Sequence, residues 1–216
     1  MSQTSLDQAP LILASASPRR HELLKRYAIP FQIGRSEFDE ECFKQKYSTL
    51  SAEEYVEALA RAKGRAYRPN DSSTRWVLSA DTIIDFNGEI IGKAKSLAEA
   101  RCHLESFCGT SHRVLTALAL CEYRDSQFFS IDSYVESARI HFYPLDDYSR
   151  SLIDIYLASA QYQDKAGSYG IQELSGLLIK AIEGDYHCIM GLPLHSLFRR
   201  WPFLLDENQA FQTDDD

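Results

Sequence analysis

Residues 75–144 constrain most tightly what this chain can fold into. "RWVLSADTIIDF" is an apolar run of strand type, and the Asn87-Gly88 that follows is a type I′ hairpin signal leading back through "EIIG". After an intervening helix, "HRVLTALALCEY" and "SYVESARIHFYP" are two long alternating runs with a turn near Asp125-Ser126. Hairpins of this length do not belong to a strict βαβ repeat. Residues 10–16 read as a short buried strand, 18–27 as the helix after it, and 31–36 as a second strand. The mixture predicts an α/β fold, a mixed β-sheet flanked by helices, rather than a pure doubly wound sheet.

Helix signals fill the spaces between these strands. Ser51 and Glu54 form an S-x-x-E capping box opening "AEEYVEALARAKGRAYR", whose apolar stripe runs through Tyr55, Leu59, Ala62 and Ala66. Ser96 and Glu99 form a second box, with a helix to about residue 107. Residues 145–160 read as helical, "YGI" and "GLLIKAIEG" as strand pieces, and "GLPLHSLFRRW" as a last helix with Pro193 near its first turn. With no internal repeat or low-complexity linker, residues 1–216 are expected to form one domain, with a core at about 10–203 and an acidic C-terminal tail.

A formal net charge of −8 argues against a nucleic-acid surface. No apolar run approaches the ~20 residues of a membrane span, and "MSQTSLDQAP" has no basic n-region, so a cytoplasmic protein is expected. Cys42, Cys102, Cys108, Cys121 and Cys188 form no C-x-x-C pair, which disfavours a zinc site or a disulfide framework and leaves each as a small buried hydrophobe.

Against that acidic background "SASPRR" at 15–20 stands out. Ser17 reads as a helix N-cap and Pro18 as the first helical residue. A helix N-terminus favours anions, so Arg19 and Arg20 break a local rule. They are either two solvated arginines or half of an anion site built from backbone N–H groups, a hydroxyl-rich turn and two guanidinium forks. Asp81 raises a similar question. A carboxylate inside "VLSADTII" is either a strand-end turn former or a metal ligand or general base. Glu40, in "EFDEE", reads alone as part of a solvated acidic run; paired with Asp81 it would make an oxygen-ligand site for Mg²⁺. Lys63, Lys93 and Lys165, each unremarkable alone, would join Arg19 and Arg20 in a pocket for several phosphates. P-loop, GxGxxG and serine-elbow motifs are absent, and the six histidines show no metal-ligand spacing.

Taken in order, "LILASASPRRHELL", "SADTII", "GEIIGKAKSLAEA", "GTSHRVLTALAL", "DKAGSYGIQ" and "GDYHCIMGLPL" resemble the Maf family of nucleoside triphosphate pyrophosphatases over residues 11 to about 200. The resemblance implies a twisted mixed sheet with two lobes around a deep cleft. It implies hydrolysis of a nucleoside triphosphate to monophosphate and pyrophosphate, dependent on a divalent cation (Mg²⁺, Mn²⁺ or Co²⁺), and it allows a homodimer. Carried over residue by residue, Asp81 matches the catalytic aspartate and Glu40 the second acidic residue, with both as metal ligands. Ser15, Arg19, Arg20, Lys63, Lys93 and Lys165 match the phosphate region. Arg19, Thr82 and Gln172 match the positions tied to substrate choice and resemble the branch acting on dTTP and UTP. The alternatives are the same chemistry on 7-methyl-GTP or another modified nucleotide, and a non-catalytic nucleotide-binding regulator of cell division. Two positions depart from the family pattern: Ala94 stands where proline is usual, and Glu173 where glycine is usual.

Overall fold

The computed structural model describes residues 11–36, 38, 43, 50–69, 72 and 75–205. The strands are β1 (Leu11–Ala14), β2 (Phe31–Gly34), β3 (Trp76–Phe86), β4 (Glu89–Ile91), β5 (Ser111–Arg124), β6 (Gln127–Phe142) and β7 (Ile179–Gly184). The helices are α1 (Pro18–Arg26), α2 (Ala52–Arg65), α3 (Leu97–Phe107), α4 (Asp147–Ala158), α5 (Tyr186–Ile189) and α6 (Leu194–Arg200), with 3₁₀ turns at Leu174–Leu178 and Pro202–Leu204. All seven strands join one sheet in the order β2-β1-β3-β5-β6-β7, with β4 paired to β3. β1 is parallel to both β2 and β3, and every other pairing is antiparallel. The expected mixed α/β sheet flanked by helices is therefore the observed fold.

Strand length shapes this sheet. β1 pairs with β3 only at Ile12–Val77 and Leu13–Leu78, while β3 runs on to Phe86 and stays paired to β5 as far as Asp85–Arg113. The stretch of β3 beyond Leu78 therefore has no β1 partner on that side. Here β1 turns away toward β2 and β3 leads toward β5, so the carboxyl end of β1 is a topological switch point, where open α/β sheets bind ligands.

One face of the sheet is covered by α2, whose Tyr55, Val56, Leu59 and Ala60 pack on Ile83, Leu115, Ala117 and Ala119. The other face carries two groups of helices. Leu23, Leu24, Leu194 and Leu197 of α1 and α6 pack with Leu78, Ala80, Leu118 and Leu120. Leu104, Phe107, Ile153 and Tyr156 of α3 and α4 pack with Ile84, Val114 and Ile140. On β3 the first group stops at Ala80 and the second begins at Ile84. Asp81 and Thr82, the half-buried residues in the middle of that strand, lie at the changeover.

Several local expectations need correction. Ser17 is the N-cap of α1, but its hydroxyl makes no capping bond; its own N–H donates instead to Ser15 Oγ at 3.2 Å. The Ser51–Glu54 box forms in full. At Ser96 only half of one forms, because Glu99 turns its carboxylate to the Lys95 N–H. The buried stripe of α2 runs through Tyr55, Val56, Leu59, Ala60 and Gly64, leaving Ala62 and Ala66 only half-buried. "YGI" is not a strand: Tyr169 and Gly170 are irregular and Ile171 opens a turn, directly after Gly167 and Ser168 with positive φ values of 65° and 64°. β6 starts at Gln127, well before Ser133, because Asp125 and Ser126 close a tight hairpin with positive φ values of 50° and 62°. Helix α5, capped by Asp185, has no counterpart in the sequence reading. Cys108, Cys121 and Cys188 are buried as expected, Cys102 is exposed, and Cys42 lies outside the described residues.

Candidate active site

The two arginines of "SASPRR" part company. Arg20 turns inward, where its guanidinium reaches four acceptors: Nε donates to the Gly191 carbonyl at 2.7 Å, Nη1 to Ser15 Oγ and the Ala80 carbonyl at 3.0 Å each, and Nη2 to Thr82 Oγ1 at 3.1 Å. It pins the end of β1, the unpaired side of β3 and the loop after α5 to one another. Gly191 makes room for this with φ +89°; a Cβ there would stand 3.0 Å from Thr82 Oγ1 and 3.3 Å from Arg20 Nε. Ser15 serves the same junction by accepting from both Arg20 and the Ser17 N–H. Arg19 turns outward and donates from Nη1 to Asp164 Oδ2 at 3.2 Å. Of the pair, Arg19 is the one on the accessible side of the α1 start, whose first-turn N–H groups receive no cap side chain.

Asp81 and Thr82, adjacent on β3, point to opposite faces of the sheet. Asp81 meets α2: its Oδ2 is ion-paired with Lys63 Nζ, and its Oδ1 accepts from the Thr82 N–H at 2.8 Å. Each carboxylate oxygen retains a second lone-pair direction. The side chains of Lys63 and Asp81 are 19% and 14% exposed, so the pair borders solvent without being immersed in it. The Thr82 hydroxyl joins Arg20 on the other face and lies 2.9 Å from Thr116 Oγ1, which donates to the Cys188 carbonyl at 2.7 Å. Burial pushes the neighbouring Cys188 thiol up to about 12, so it remains a thiol at neutral pH.

The remaining basic residues lie in two adjoining loops. Lys93, exposed after β4, forms a backbone bridge with Ala166, and the Gly167 N–H donates to the Gly92 carbonyl at 2.9 Å. Lys165 is only 6% exposed. Its ammonium meets the Gln161 carbonyl, Asp164 Oδ1 at 2.6 Å and Glu173 Oε1 at 2.8 Å, which matches all three of its N–H donors. A phosphate contact from Lys165 would require one of these bonds to open. Gln172 is exposed at the tip of a stiff turn. The Glu173 N–H donates to the Gly170 carbonyl at 3.1 Å, and a Cβ at Gly176 would stand 2.4 Å from the Ile171 carbonyl oxygen. Glu40 lies outside the described residues.

Thr116, Gly191, Asp164 and Glu173 belong to this network and were not singled out as site residues from sequence. Three of them lie inside motifs quoted above, Thr116 in "GTSHRVLTALAL", Asp164 at the head of "DKAGSYGIQ" and Gly191 in "GDYHCIMGLPL", while Glu173 showed only as a departure from pattern. Among the described residues no group of three or more His, Cys, Asp or Glu side chains could hold a metal ion. Asp81 brings one carboxylate, which suits a Mg²⁺-type ion that draws its remaining ligands from substrate phosphates and water.

Fold and geometry together define an open-sheet α/β protein with an uncapped helix start at the switch point and a lysine–aspartate pair on the adjoining strand. Residues 10–201 match the family described as Maf-like protein, and the chain belongs to that family. It is similar to the dTTP/UTP pyrophosphatase of Halalkalibacterium halodurans, 40% identical over 192 residues that cover 88% of this chain and 93% of the relative. It is also similar to the enzyme of the same name from Symbiobacterium thermophilum, 42% identical over 86% of this chain and 89% of the relative. The dTTP/UTP pyrophosphatase of Thermus thermophilus is 36% identical over 88% and 91%.

Proposed function

We propose that this protein is a nucleoside triphosphate pyrophosphatase that hydrolyses dTTP and UTP to the monophosphate and pyrophosphate. The observation that carries the reading is the Lys63–Asp81 pair at mid-strand, one residue from the Arg20–Thr82 pin and beside the start of α1. Several relatives that match nearly the whole chain bear that activity in their names. Arg19 and the first-turn N–H groups of α1 receive phosphate oxygens, with Lys93 available from the facing loop. Asp81 orients a water molecule and takes its proton as the oxygen attacks the α-phosphorus; the bond to the β-phosphate oxygen breaks and pyrophosphate leaves. Lys63 holds the Asp81 carboxylate in place and offsets charge on the phosphoryl oxygens. Asp81, with Glu40, is the proposed holder of a divalent cation, which when bound neutralises phosphate charge. Gln172, presented on its stiff turn, is the proposed reader of the pyrimidine edge.

The test is a pyrophosphate-release panel with purified protein in Mg²⁺, Mn²⁺ or Co²⁺, comparing dTTP, UTP, ATP, GTP and 7-methyl-GTP. Turnover of dTTP and UTP above the rest is expected, with a loss of at least ~10²-fold in Asp81→Asn, as for removal of a positioned base. Faster hydrolysis of 7-methyl-GTP would overturn the substrate assignment. An Asp81→Asn variant within threefold of the parent would remove Asp81 from the chemistry.

A further inference from the structure

Arg19 is the first link of a chain of alternating charges that does not include the Lys63–Asp81 pair. Its Nη1 donates to Asp164 Oδ2 at 3.2 Å. The other Asp164 oxygen lies 2.6 Å from Lys165 Nζ, and Lys165 is 2.8 Å from Glu173 Oε1. Glu173 Oε2 accepts from the Tyr156 hydroxyl at 2.9 Å, and Tyr156 is fully buried on α4. The buried end is tightly held: Lys165 has no spare donor and Tyr156 is fully buried in the core. The outer end can, because Arg19 and Asp164 are 32% and 57% exposed and share one 3.2 Å contact. The chain also ties the two helical groups together, since Leu23 and Leu24 of α1 belong to one core and Tyr156, Tyr162 and Tyr169 to the other.

We propose that Asp164 is an internal rival of the incoming phosphate for the Arg19 guanidinium, held in place by Lys165 and Glu173. This rests on the reading above that Arg19 receives phosphate. A single carboxylate contact is the weaker partner, because a phosphate offers several oxygens to the guanidinium fork. Binding therefore exchanges the Asp164 contact for the phosphate, and affinity is lower than Arg19 alone would give. Burial raises the Asp164 carboxyl, but the Lys165 ammonium and Arg19 outweigh it and hold the group below the usual carboxylate range, so the rival stays charged at neutral pH. Glu173 fixes Lys165, so this chain's departure at 173 contributes to how firmly the rival is held.

The test is calorimetric binding of inorganic pyrophosphate, which carries no base. Asp164→Asn keeps an acceptor for Lys165 and removes the charge. It should bind pyrophosphate about two- to fivefold more tightly, the scale of one exposed ion pair, while Asp164→Glu should match the parent. In an Arg19→Ala background Asp164→Asn should make no difference. A merely structural role for Asp164 would instead weaken binding together with the melting temperature. Unchanged or weaker binding in Asp164→Asn, a gain that survives removal of Arg19, or no pyrophosphate binding by parent and variant alike would overturn the proposal. A protein that binds pyrophosphate through Arg19 yet hydrolyses no nucleotide would end the functional reading and leave this one standing. Turnover of UTP with no tightening in Asp164→Asn would do the reverse.

Discussion

Replacing each arginine of "SASPRR" with lysine separates their roles. Lysine keeps the charge but gathers its donors on one nitrogen, whereas Arg20 spreads its bonds over Gly191, Ser15, Ala80 and Thr82, which lie on three segments of chain. An ammonium, with its donors on one nitrogen, reaches at most two of these four acceptors, so Arg20→Lys loses at least two charge-assisted bonds. At roughly 1.5–3 kcal/mol each this is about 3–6 kcal/mol, and partial solvent access brings it to about 2–4 kcal/mol. For a chain of this length that lowers the melting temperature by about 4–16 °C. Arg19→Lys leaves only the exposed Asp164 contact altered and should shift melting by no more than about 2 °C. Its effect falls on KM for the triphosphate, raised about tenfold by loss of the two-pronged phosphate contact. The assay is thermal unfolding beside steady-state pyrophosphate release. A stable Arg20→Lys, or an Arg19→Lys that melts early with an unchanged KM, would refute this division of labour.

His112 is buried among Phe107, Phe142 and Tyr169, and burial lowers its pKa to about 4. Its folded value lies below the usual ~6.5, so its stabilising contribution is complete above pH ~6.5 and is lost as the pH falls through 4, by about 3 kcal/mol in total; urea unfolding should show a shallower acid slope in His112→Phe than in the parent. Gln172→Ala should reduce the preference for UTP over ATP by roughly tenfold while slowing UTP less, read as the ratio of kcat/KM values; an unchanged ratio would remove Gln172 from base recognition.

The sheet was legible because its strands are written in strong alternation and its turns in Asn87-Gly88 and Asp125-Ser126, signals that act over a few residues. The capping box at Ser51 was legible for the same reason. The division between Arg19 and Arg20 was not, since it depends on which arginine faces Gly191, a residue far along the chain that comes close only in the fold. Lys165 misled in a similar way. Its sequence neighbours "QDKAGSYGIQ" suggest an open lysine, but Glu173 closes the turn onto it. Glu173 was visible only as a departure, and no local rule says which cation a lone glutamate will reach.

The architecture of the site follows from one mismatch in strand length. Had β1 continued beside β3 past Leu78, the Ala80 carbonyl and Thr82 N–H would have been taken by the sheet ladder. Instead Ala80 accepts from Arg20, and the Thr82 N–H turns to the Asp81 carboxylate. Consecutive side chains on a strand face opposite ways, so this short stretch gives Asp81 to the face of Lys63 and Thr82 to the face of Arg20. Groups on opposite faces of a complete sheet could not act on one ligand. At the free side of β3, where its parallel neighbour has ended and a helix start takes its place, they can. The four-residue β1 is thus a requirement of the proposed chemistry, and lengthening it would draw the Thr82 N–H, now given to the Asp81 carboxylate, into the ladder.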